Sequence, residues 1–484
     1  MYFRAILRII GLLIVLFSIT MIIPAIISFI YQDQEGHIFI KIFFIILIVG
    51  LSLWVPNNKI KYQLKPKDAC LIVTLFWIVL GTIGSLPFAL SNNLNLNITD
   101  SCFESFSGLT TTGATNLINL DLLPKSILFY RQMLQWLGGM GIIVLAVTIL
   151  PLLGIGEGIQ LYRAEVSRTI KKNKMLPRIA ETAKILWLIY VLLTIVCTFI
   201  LWIVGMDLFD AITHSFSTIS IGGFSTHDKN IGYFNSPIIN IVISIFLIIS
   251  GSNFTLHFLL LSGEKMKIYW NDPEFRFFII FQLILIIITT IILAYYSVYN
   301  SILESLNHAL FQVISLTTTA GFSTEQFSNW PLFLPTLLLS SSFIGGCAGS
   351  TGGGMKVIRI LLLFLQSSIE LKRIVHPNAI YTIKLGDKAI PKQTTEAIWS
   401  FFSAYCLIFF ISFILLIGTG IDEFSSFSSV IATLNNLGPG LGSVAENFSH
   451  INPIGKWILI IIMLLGRLEI FTLLVLFTST FWKK

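Results

Sequence analysis

The chain has 484 residues, of which 55% are hydrophobic and only 11% are charged. Soluble domains carry about 25% charged residues, so this composition excludes a soluble protein and indicates a polytopic protein of the lipid bilayer. The net charge of +7 does not indicate nucleic-acid binding, because the basic residues lie in loops between apolar segments. The five cysteines are far apart without CxxC or Cys/His spacing, so we expect no disulfide framework and no structural zinc.

Ten segments are apolar enough and long enough to span a bilayer, which takes about 20 residues. The first is too long for the core of a signal peptide and has no clear cleavage site, so we interpret it as a retained helix. The ten predicted segments are 6–31, 38–56, 68–91, 127–153, 180–204, 235–262, 275–298, 332–370, 394–418 and 454–481.

Four stretches follow the third, fifth, seventh and ninth segments and are too short to span: 100–109, 207–217, 301–316 and 422–434. Each leads into a short polar segment with a central glycine, and we call these segments glycine strings 1 to 4: 110–114, 220–224, 318–322 and 435–439. The central glycines, roughly 100 to 120 residues apart, indicate a fourfold internal repeat.

The predicted fold is an all-α polytopic membrane protein with two leading transmembrane helices and four repeats. Each repeat contains a helix, a short re-entrant pore helix, a glycine string and a second helix, and the four repeats surround one pore. The predicted divisions are 1–62 for the leading helices, then 63–156, 157–264, 265–372 and 373–484 for repeats 1 to 4.

The distribution of basic residues predicts the orientation in the membrane. With cytoplasmic N- and C-termini, 25 of the 31 Lys and Arg residues lie inside. The inside set is Arg4, Arg8, Lys59, Lys61, Lys65, Lys67, the loops 163–184 and 265–276, the region 356–392, Lys483 and Lys484. This asymmetry follows the positive-inside rule and places all four glycine strings on the extracytoplasmic side.

Acidic residues flank the strings and have two interpretations. They would concentrate cations at an outer mouth, and Asp100, Asp207 and Asp422 would cap the short helices; the two roles are compatible. The acidic set is Asp100, Glu104, Asp207, Asp210, Glu304, Asp422 and Glu423. A further interpretation is that Glu104 forms a buried ion pair with Arg131 that supports the first short helix. His214, His257 and His308 are expected to be hydrogen-bonded interior residues and not ligands.

Irregular backbone at membrane depth needs protein or water partners. Four strings around one axis would meet that need by surrounding a dehydrated cation with carbonyl oxygens, while each short helix aims its partially negative C-terminus at the ion. The alternative is that the glycines are only helix C-caps. The candidate cation-binding residues are Thr111, Thr112, Gly113, Ser220, Ile221, Gly222, Gly223, Thr318, Thr319, Ala320, Gly321, Asn435, Asn436, Leu437 and Gly438.

The eighth apolar segment contains a glycine-rich stretch at 345–354 that is expected to break the helix at mid-membrane. A phosphate-binding P-loop is the rival interpretation, but the spacing does not match GxxxxGK[ST] and no strand precedes it. A mobile plug in the pore is favoured. Its candidate gate residues are Gly345, Gly346, Gly349, Gly352, Gly353 and Gly354.

Arg467 lies inside the last apolar segment, where a guanidinium costs a few kcal/mol unless it is paired or hydrated. We expect it to face the pore, to donate to carbonyls of 345–354 and to repel cations as part of the gate. The alternative is a structural pair with a carboxylate of another helix.

These residues resemble the TrkH-type subunits of the Trk/Ktr/HKT superfamily of potassium transporters, over essentially the whole chain. The most specific motifs are 111–113, 221–226, 319–324 and 435–440. The resemblance implies one pore within one polypeptide, a loose selectivity filter and an intramembrane loop that obstructs permeation. In this family a serine in place of the first-repeat glycine accompanies sodium transport, so Gly113 argues for potassium.

The internal basic loops at 163–178 and 371–392 have two interpretations, as charge that orients the chain or as a docking site for an acidic or nucleotide-binding cytosolic partner. The resemblance implies such a partner, a ring of TrkA-type nucleotide-binding regulatory subunits under a homodimer. The expected function is channel-like potassium uptake across the inner (cytoplasmic) membrane, and the high isoleucine and asparagine content points to a bacterium. Potassium is then the transported ion and no covalent cofactor is expected. The alternative is a proton- or sodium-coupled symporter, which the scarcity of carboxylates in spanning segments disfavours. No HExxH, GxSxG or paired catalytic carboxylates indicate an enzyme.

Overall fold

The computed structural model describes residues 3–58, 66–148, 175–379, 381–386 and 388–483. Helices dominate this part of the chain, whose one sheet is a hairpin in which Lys384–Leu385 pairs antiparallel with Lys388–Ala389. The predicted divisions at 62/63 and 156/157, and the basic residues of 163–174, lie outside the described residues.

Two leading segments form a closely packed helical hairpin. They comprise Phe3–Thr20, Ile22–Tyr31 and Gly36–Trp54, the last extended by a 3-10 turn over Val55–Asn57. Glycines lie at the crossing: a Cβ at Gly11 would lie 2.7 Å from the backbone nitrogen of Trp54, and a Cβ at Gly50 would lie 2.9 Å from that of Val15. Small residues let helices approach in a bilayer, where van der Waals packing drives association.

Four repeats of helix, short helix and further helix follow. Their main helices are Pro66–Gly84, Leu86–Leu90, Ile98–Leu109 and Lys125–Thr148; Met175–Ile203, Leu208–Ser220, Pro237–Gly251 and Phe254–Leu261; Pro273–Tyr295, Ile302–Thr317, Leu334–Ser341 and Val357–Val375; and Lys392–Ile417, Glu423–Leu434, Pro453–Arg467 and Phe471–Leu474. Shorter helical elements are Leu120–Leu122, Asn230–Phe234, Lys267–Asn271, Phe327–Asn329, Gly442–Val444, Val475–Phe477 and Ser479–Trp482.

The four short helices have 12, 13, 16 and 12 residues, too few to span, and protein surrounds most of their length. Side chains cap all four N-termini: Asp207 and Asp422 as expected, Asn97 in repeat 1 and Ser301 in repeat 3. The predicted cap at Asp100 is wrong, because Asn97 already accepts the backbone N–H of Asp100. Asp100 instead pairs with the ammonium group of Lys456.

Two of the predicted single spans are bent. In the described part of the chain six continuous helices are long and apolar enough to cross a membrane, and two further pairs qualify if each bent pair is one span. Pro237–Gly251 meets Phe254–Leu261 at 92°, and Pro453–Arg467 meets the helical turns of 471–477 at 108°. The first bend leaves the carbonyl of Gly251 free to accept the backbone N–H of Cys347 at 2.8 Å. The second follows from positive φ angles at Glu469 (53°) and Ile470 (35°).

The predicted break in segment 332–370 is confirmed. One helix ends at Ser341, the next begins at Val357, and the glycine-rich stretch lies between them. Of segment 127–153, the structure describes the helix Lys125–Thr148. The break brings irregular backbone to the centre of the protein, where it meets the glycine strings.

Candidate functional site

The four glycine strings share one unusual backbone conformation. The central glycines all have positive φ, of 82° at Gly113, 80° at Gly223, 77° at Gly321 and 98° at Gly438. The residue two positions earlier is also left-handed in every string, with φ of 52° at Thr111, 56° at Ile221, 70° at Thr319 and 53° at Asn436. Non-glycine residues adopt this conformation only when the surroundings enforce it, and such strain concentrates at functional sites.

The backbone N–H before each central glycine points back to its own short helix. Thr112 donates to the carbonyl of Ser107, Gly222 to Ser217 and Ala320 to Ser315, each at 2.8 Å, and Leu437 donates to Ala432 at 2.7 Å. These bonds are C-caps, so the C-cap interpretation is correct as local geometry. These bonds also occupy the backbone N–H groups before the central glycines. The carbonyl oxygens of the strings remain as the backbone polar groups that can bind a partner.

The strings meet in a closed ring, which a C-cap alone would not require. A Cβ atom added at any of the four central glycines would clash with a backbone carbonyl oxygen of the next repeat. The distances are 2.2 Å from Gly113 to Gly222 O, 2.0 Å from Gly223 to Ala320 O, 1.9 Å from Gly321 to Leu437 O and 2.6 Å from Gly438 to Thr112 O. Each central glycine therefore abuts the carbonyl of the next repeat, and string 4 returns to string 1. Only glycine fits at these four positions.

Every predicted cation-site residue lies in this ring, and all except Gly113 are buried. Several side chains are tied to protein. The Thr112 hydroxyl contacts that of Thr110 at 2.7 Å and accepts from the Asn436 amide at 2.9 Å, and Asn435 donates to Ser342 Oγ at 2.8 Å. The Thr318 hydroxyl donates to Ile314. The backbone oxygens are therefore better candidates for ion ligands than these hydroxyls.

The glycine-rich segment 345–354 packs directly against strings 3 and 4. The backbone N–H of Gly353 donates to Thr319 Oγ1 at 2.7 Å, and that of Gly354 donates to the carbonyl of Asn435 at 3.1 Å. A Cβ at Gly353 would lie 1.9 Å from the Asn435 oxygen. Gly345, Gly349 and Gly354 have positive φ, while Gly346 and Gly352 lie in close backbone contacts.

Arg467 connects this segment to repeat 1. Its side chain is buried, and it donates from Nη1 to the carbonyl of Thr351 at 3.0 Å and from Nη2 to the carbonyl of Gly138 at 3.5 Å. The expected contact with carbonyls of 345–354 is therefore present, and no carboxylate partner of Arg467 is found in the described residues. Glu469 instead pairs with Arg359 at 2.8 Å.

Buried polar side chains hold the ring in place. Arg131 pairs with Glu104 at 2.7 Å, donates to the carbonyl of Ser225 at 3.2 Å and stacks on Phe224 at 4.2 Å. The structure therefore contains the Glu104–Arg131 ion pair that the sequence left as one possibility. His214, His257 and His308 are hydrogen-bonded within the protein, as expected. The described residues contain no cluster of three or more His, Cys, Asp or Glu suited to a metal ion.

Sequence reasoning missed several residues that contact the central backbone, among them Gln135 and Glu274. Gln135 donates to the carbonyl of Gly222 at 2.6 Å, and Glu274 accepts from the backbone N–H of Ala348 at 2.6 Å and of Ile358 at 3.2 Å. The available signal for Gln135 was an amide inside an apolar helix. Glu274 gave little signal, because it lies near basic residues that read as a cytoplasmic loop.

Comparison with known proteins agrees with this architecture. A sequence model of the TrkH family, described as cation transport protein, matches residues 35–484. The chain is 64% identical to Trk system potassium uptake protein TrkH of Escherichia coli K12, with all of both chains covered. It is 39% identical to the E. coli protein TrkG, with 99% of each covered.

Among solved structures, the crystal structure of the potassium transporter TrkH from Vibrio parahaemolyticus matches with a TM-score of 0.93 and 57% identity, covering all of both chains. The all-helical polytopic fold, with two leading helices and four repeats, closely matches that of this TrkH protein. The chain belongs to the TrkH family of cation transport proteins, a family of transporters and not of enzymes.

Proposed function

We propose that this chain takes up potassium through a channel-like pore, with the ring of the four glycine strings as its selectivity filter. One observation carries the proposal: each central glycine abuts a carbonyl of the next repeat, so that four strings from one polypeptide close on themselves. Backbone carbonyls in such a ring replace the hydration shell of a cation. The named activity of the relatives, potassium uptake, supports the choice of ion.

Gly113 is the residue in the sequence that supports a preference for potassium over sodium. The family resemblance associates a serine at this position with sodium transport. The geometry offers a reason, since a side chain at Gly113 would reach the Gly222 carbonyl and deform the ring. Because only the central glycine recurs in all four strings, the filter has fewer ordered sites than that of tetrameric potassium channels.

The test is rescue of potassium-dependent growth in cells that lack potassium uptake. The wild-type chain should restore growth at low potassium, whereas Gly113→Ser and Gly113→Ala should not. Gly205→Ala is the matched control, because Gly205 also has positive φ (113°) but no atom of the described residues lies within 4 Å of its Cβ position. Rescue by Gly113→Ala, or failure of wild type with normal membrane insertion, would contradict the proposal.

The gate of this pore is proposed to be segment 345–354 together with Arg467. Support comes from contacts of the segment with three repeats: Gly353 with Thr319, Gly354 with Asn435, and Thr351 Oγ1 with the carbonyl of Ile219 at 3.0 Å. Arg467 adds repeat 1 through Gly138. A deletion within 345–354 should raise cation flux in cells, and unchanged flux in a folded variant would contradict this role.

Passive conduction is proposed in preference to proton or sodium coupling. Coupled transporters usually bury carboxylates along the route of the ions. Glu274 is held by two backbone N–H groups, and Glu469 is held by Arg359, so neither is free for exchange in this conformation. The reversal potential of the current discriminates: it should follow the potassium gradient and not move with pH or sodium.

The cellular setting is proposed from the family and from charge. The chain would lie in a bacterial inner membrane with both termini in the cytoplasm, as a homodimer regulated by a TrkA-type nucleotide-binding subunit. The relatives' names speak of a Trk system, which supports a multicomponent assembly. Co-purification with such a subunit, and cysteine labelling from each side of the membrane, test these assignments.

A further inference from the structure

Gln135 forms side-chain hydrogen bonds with the backbone of string 2. Its side chain is fully buried in the helix Lys125–Thr148, where its amide makes two backbone contacts. Nε2 donates to the carbonyl of Gly222 at 2.6 Å, and Oε1 accepts from the backbone N–H of Phe224 at 3.2 Å. One partner is an acceptor and the other a donor, so only one orientation of the amide satisfies both.

The carbonyl that Gln135 contacts belongs to the ring. Gly222 O abuts Gly113, in the position that Ala320 O, Leu437 O and Thr112 O occupy against the other central glycines. No hydrogen bond from a side chain to those three oxygens is found in the described part of the chain. The ring is therefore asymmetric, with one of its four oxygens anchored by an amide.

This contact also explains a second glycine in string 2. The position before the central glycine is threonine, alanine and leucine in strings 1, 3 and 4, but Gly222 in string 2. A Cβ at Gly222 would lie 2.4 Å from Cδ of Gln135 and 2.5 Å from its Oε1. Gln135 fills the space that a side chain at 222 would need, so the two residues form a matched pair.

We infer that Gln135 is a positioning residue of the ion pathway, which anchors the Gly222 carbonyl and thereby increases the preference of the ring for potassium over sodium. The inference rests on the proposed function. A sodium ion is smaller than potassium, so binding it requires the ring oxygens to move inward, and an anchored oxygen resists that movement. The hydrogen bond also occupies one of the two lone pairs of the oxygen, which weakens the ligand field that favours the smaller ion.

The decisive variant is Gln135→Met, which keeps the length of the side chain and removes both polar contacts. Methionine is the residue at the corresponding site of repeat 4: Met463 precedes Gly466 by three positions, as Gln135 precedes Gly138. The correspondence follows from equivalent contacts, since a Cβ at Gly138 would lie 1.8 Å from Leu109 O and one at Gly466 would lie 2.1 Å from Leu434 O.

The experiment compares potassium and sodium fluxes of the full chain in proteoliposomes. Gln135→Met should lower the potassium-to-sodium flux ratio roughly two- to tenfold, the size expected for one net hydrogen bond. Gln132→Met is the matched control. Gln132 lies one turn earlier on the same helix. Its amide contacts Leu128 O and Thr226 N in one orientation and Phe224 O in the other, and none of these atoms is one of the four ring oxygens. It should keep the wild-type ratio.

A second pair of variants keeps the inference falsifiable if Gln135→Met does not fold. Gly222→Ala alone should abolish uptake by its clash with Gln135, and Gly222→Ala with Gln135→Ala should restore potassium flux with a reduced ratio. A folded Gln135→Met or double variant with the wild-type ratio overturns the inference alone. A wild-type chain that carries no potassium overturns it together with the proposed function.

Discussion

The guanidinium of Arg467 donates to the carbonyl oxygen of Thr351 at 3.0 Å, across 116 positions of sequence. The arginine is 3% exposed, and its Nε has no hydrogen-bond partner in the described residues. A charge so placed is costly unless it is well solvated. The contact therefore joins a buried charge to the glycine-rich segment 345–354, which has few side chains of its own to fix its position. Because few contacts hold this segment, it is suited to the proposed role of a gate.

Replacing Arg467 with methionine should raise cation flux. Loss of a hydrogen bond from a charged group, worth about 1.5–3 kcal/mol, would release the segment and increase flux roughly tenfold or more. Removal of the positive charge also lowers the barrier to cations. Flux of the purified chain in liposomes measures this, with the exposed Arg276→Met as the control for loss of an arginine. Unchanged or lower flux in a folded Arg467→Met protein would contradict the gate.

Thr319→Val should also raise flux, because it removes the acceptor that holds the Gly353 N–H at 2.7 Å. Leaving a buried N–H unpaired costs about 1–3 kcal/mol, which destabilises the closed segment. Thr317→Val is the matched control, since the bonds of the Thr317 hydroxyl in the described structure stay within its own helix, to Val313 O at 2.8 Å and Ile314 O at 3.3 Å. Combined with Arg467→Met, the effect should be less than additive; full additivity would argue that the two contacts do not hold one segment.

Arg131→Met should destabilise the fold strongly. The Arg131–Glu104 pair is almost fully buried at 2.7 Å, and removing one partner of such a pair costs about 3–5 kcal/mol because the other charge remains uncompensated. The double variant Glu104→Gln with Arg131→Met should be more stable than Arg131→Met. Thermal unfolding of the detergent-solubilised protein measures the stability of both variants. Equal stability of the single and double variants would contradict the prediction that the unpaired Glu104 carboxylate causes the loss.

Stability should fall as pH rises, through His227 in the loop that follows string 2. Burial opposes its charge, but hydrogen bonds with Asp210 and Asp121 raise the pKa of His227 above its ordinary value near 6.5. A raised folded-state pKa gives stability that is complete below the unfolded pKa and is lost as pH rises through the folded pKa. Wild type should therefore unfold at a higher temperature at mildly acidic than at mildly alkaline pH.

His227→Phe should remove this decline while keeping the stacking on Tyr233, whose ring centroid lies 3.5 Å from that of His227. The neighbouring His214 faces Asp210 through its backbone oxygen and should not replace the lost charge. His308→Phe is the matched control, because His308 also stacks on a tyrosine, Tyr299, while its hydrogen bond goes to the Thr324 hydroxyl and none to a carboxylate is found within the described ranges. An unchanged pH profile in His227→Phe would contradict the assignment.

Much of the architecture could be predicted from periodicity and composition. The four strings, the capping roles of Asp207 and Asp422 and the break near 345–354 followed from residue types with strong local preferences. The 108° bend after Arg467 and the cap at Asn97 did not. A left-handed Glu469 or Ile470 is locally unfavourable, so packing and not propensity imposes it, and no local pattern announces it.

The sequence by itself determined that the chain is a membrane protein with four glycine-centred repeats, because apolar length and glycine spacing are local properties that survive in any fold. Only the tertiary structure decided that Gly113, Gly223, Gly321 and Gly438 close into one ring, that Gln135 anchors one of its oxygens and that Arg467 pairs with carbonyls while Glu469 pairs with Arg359. These contacts join residues up to several hundred positions apart. Their distances depend on helix packing and not on the spacing of residues along the chain.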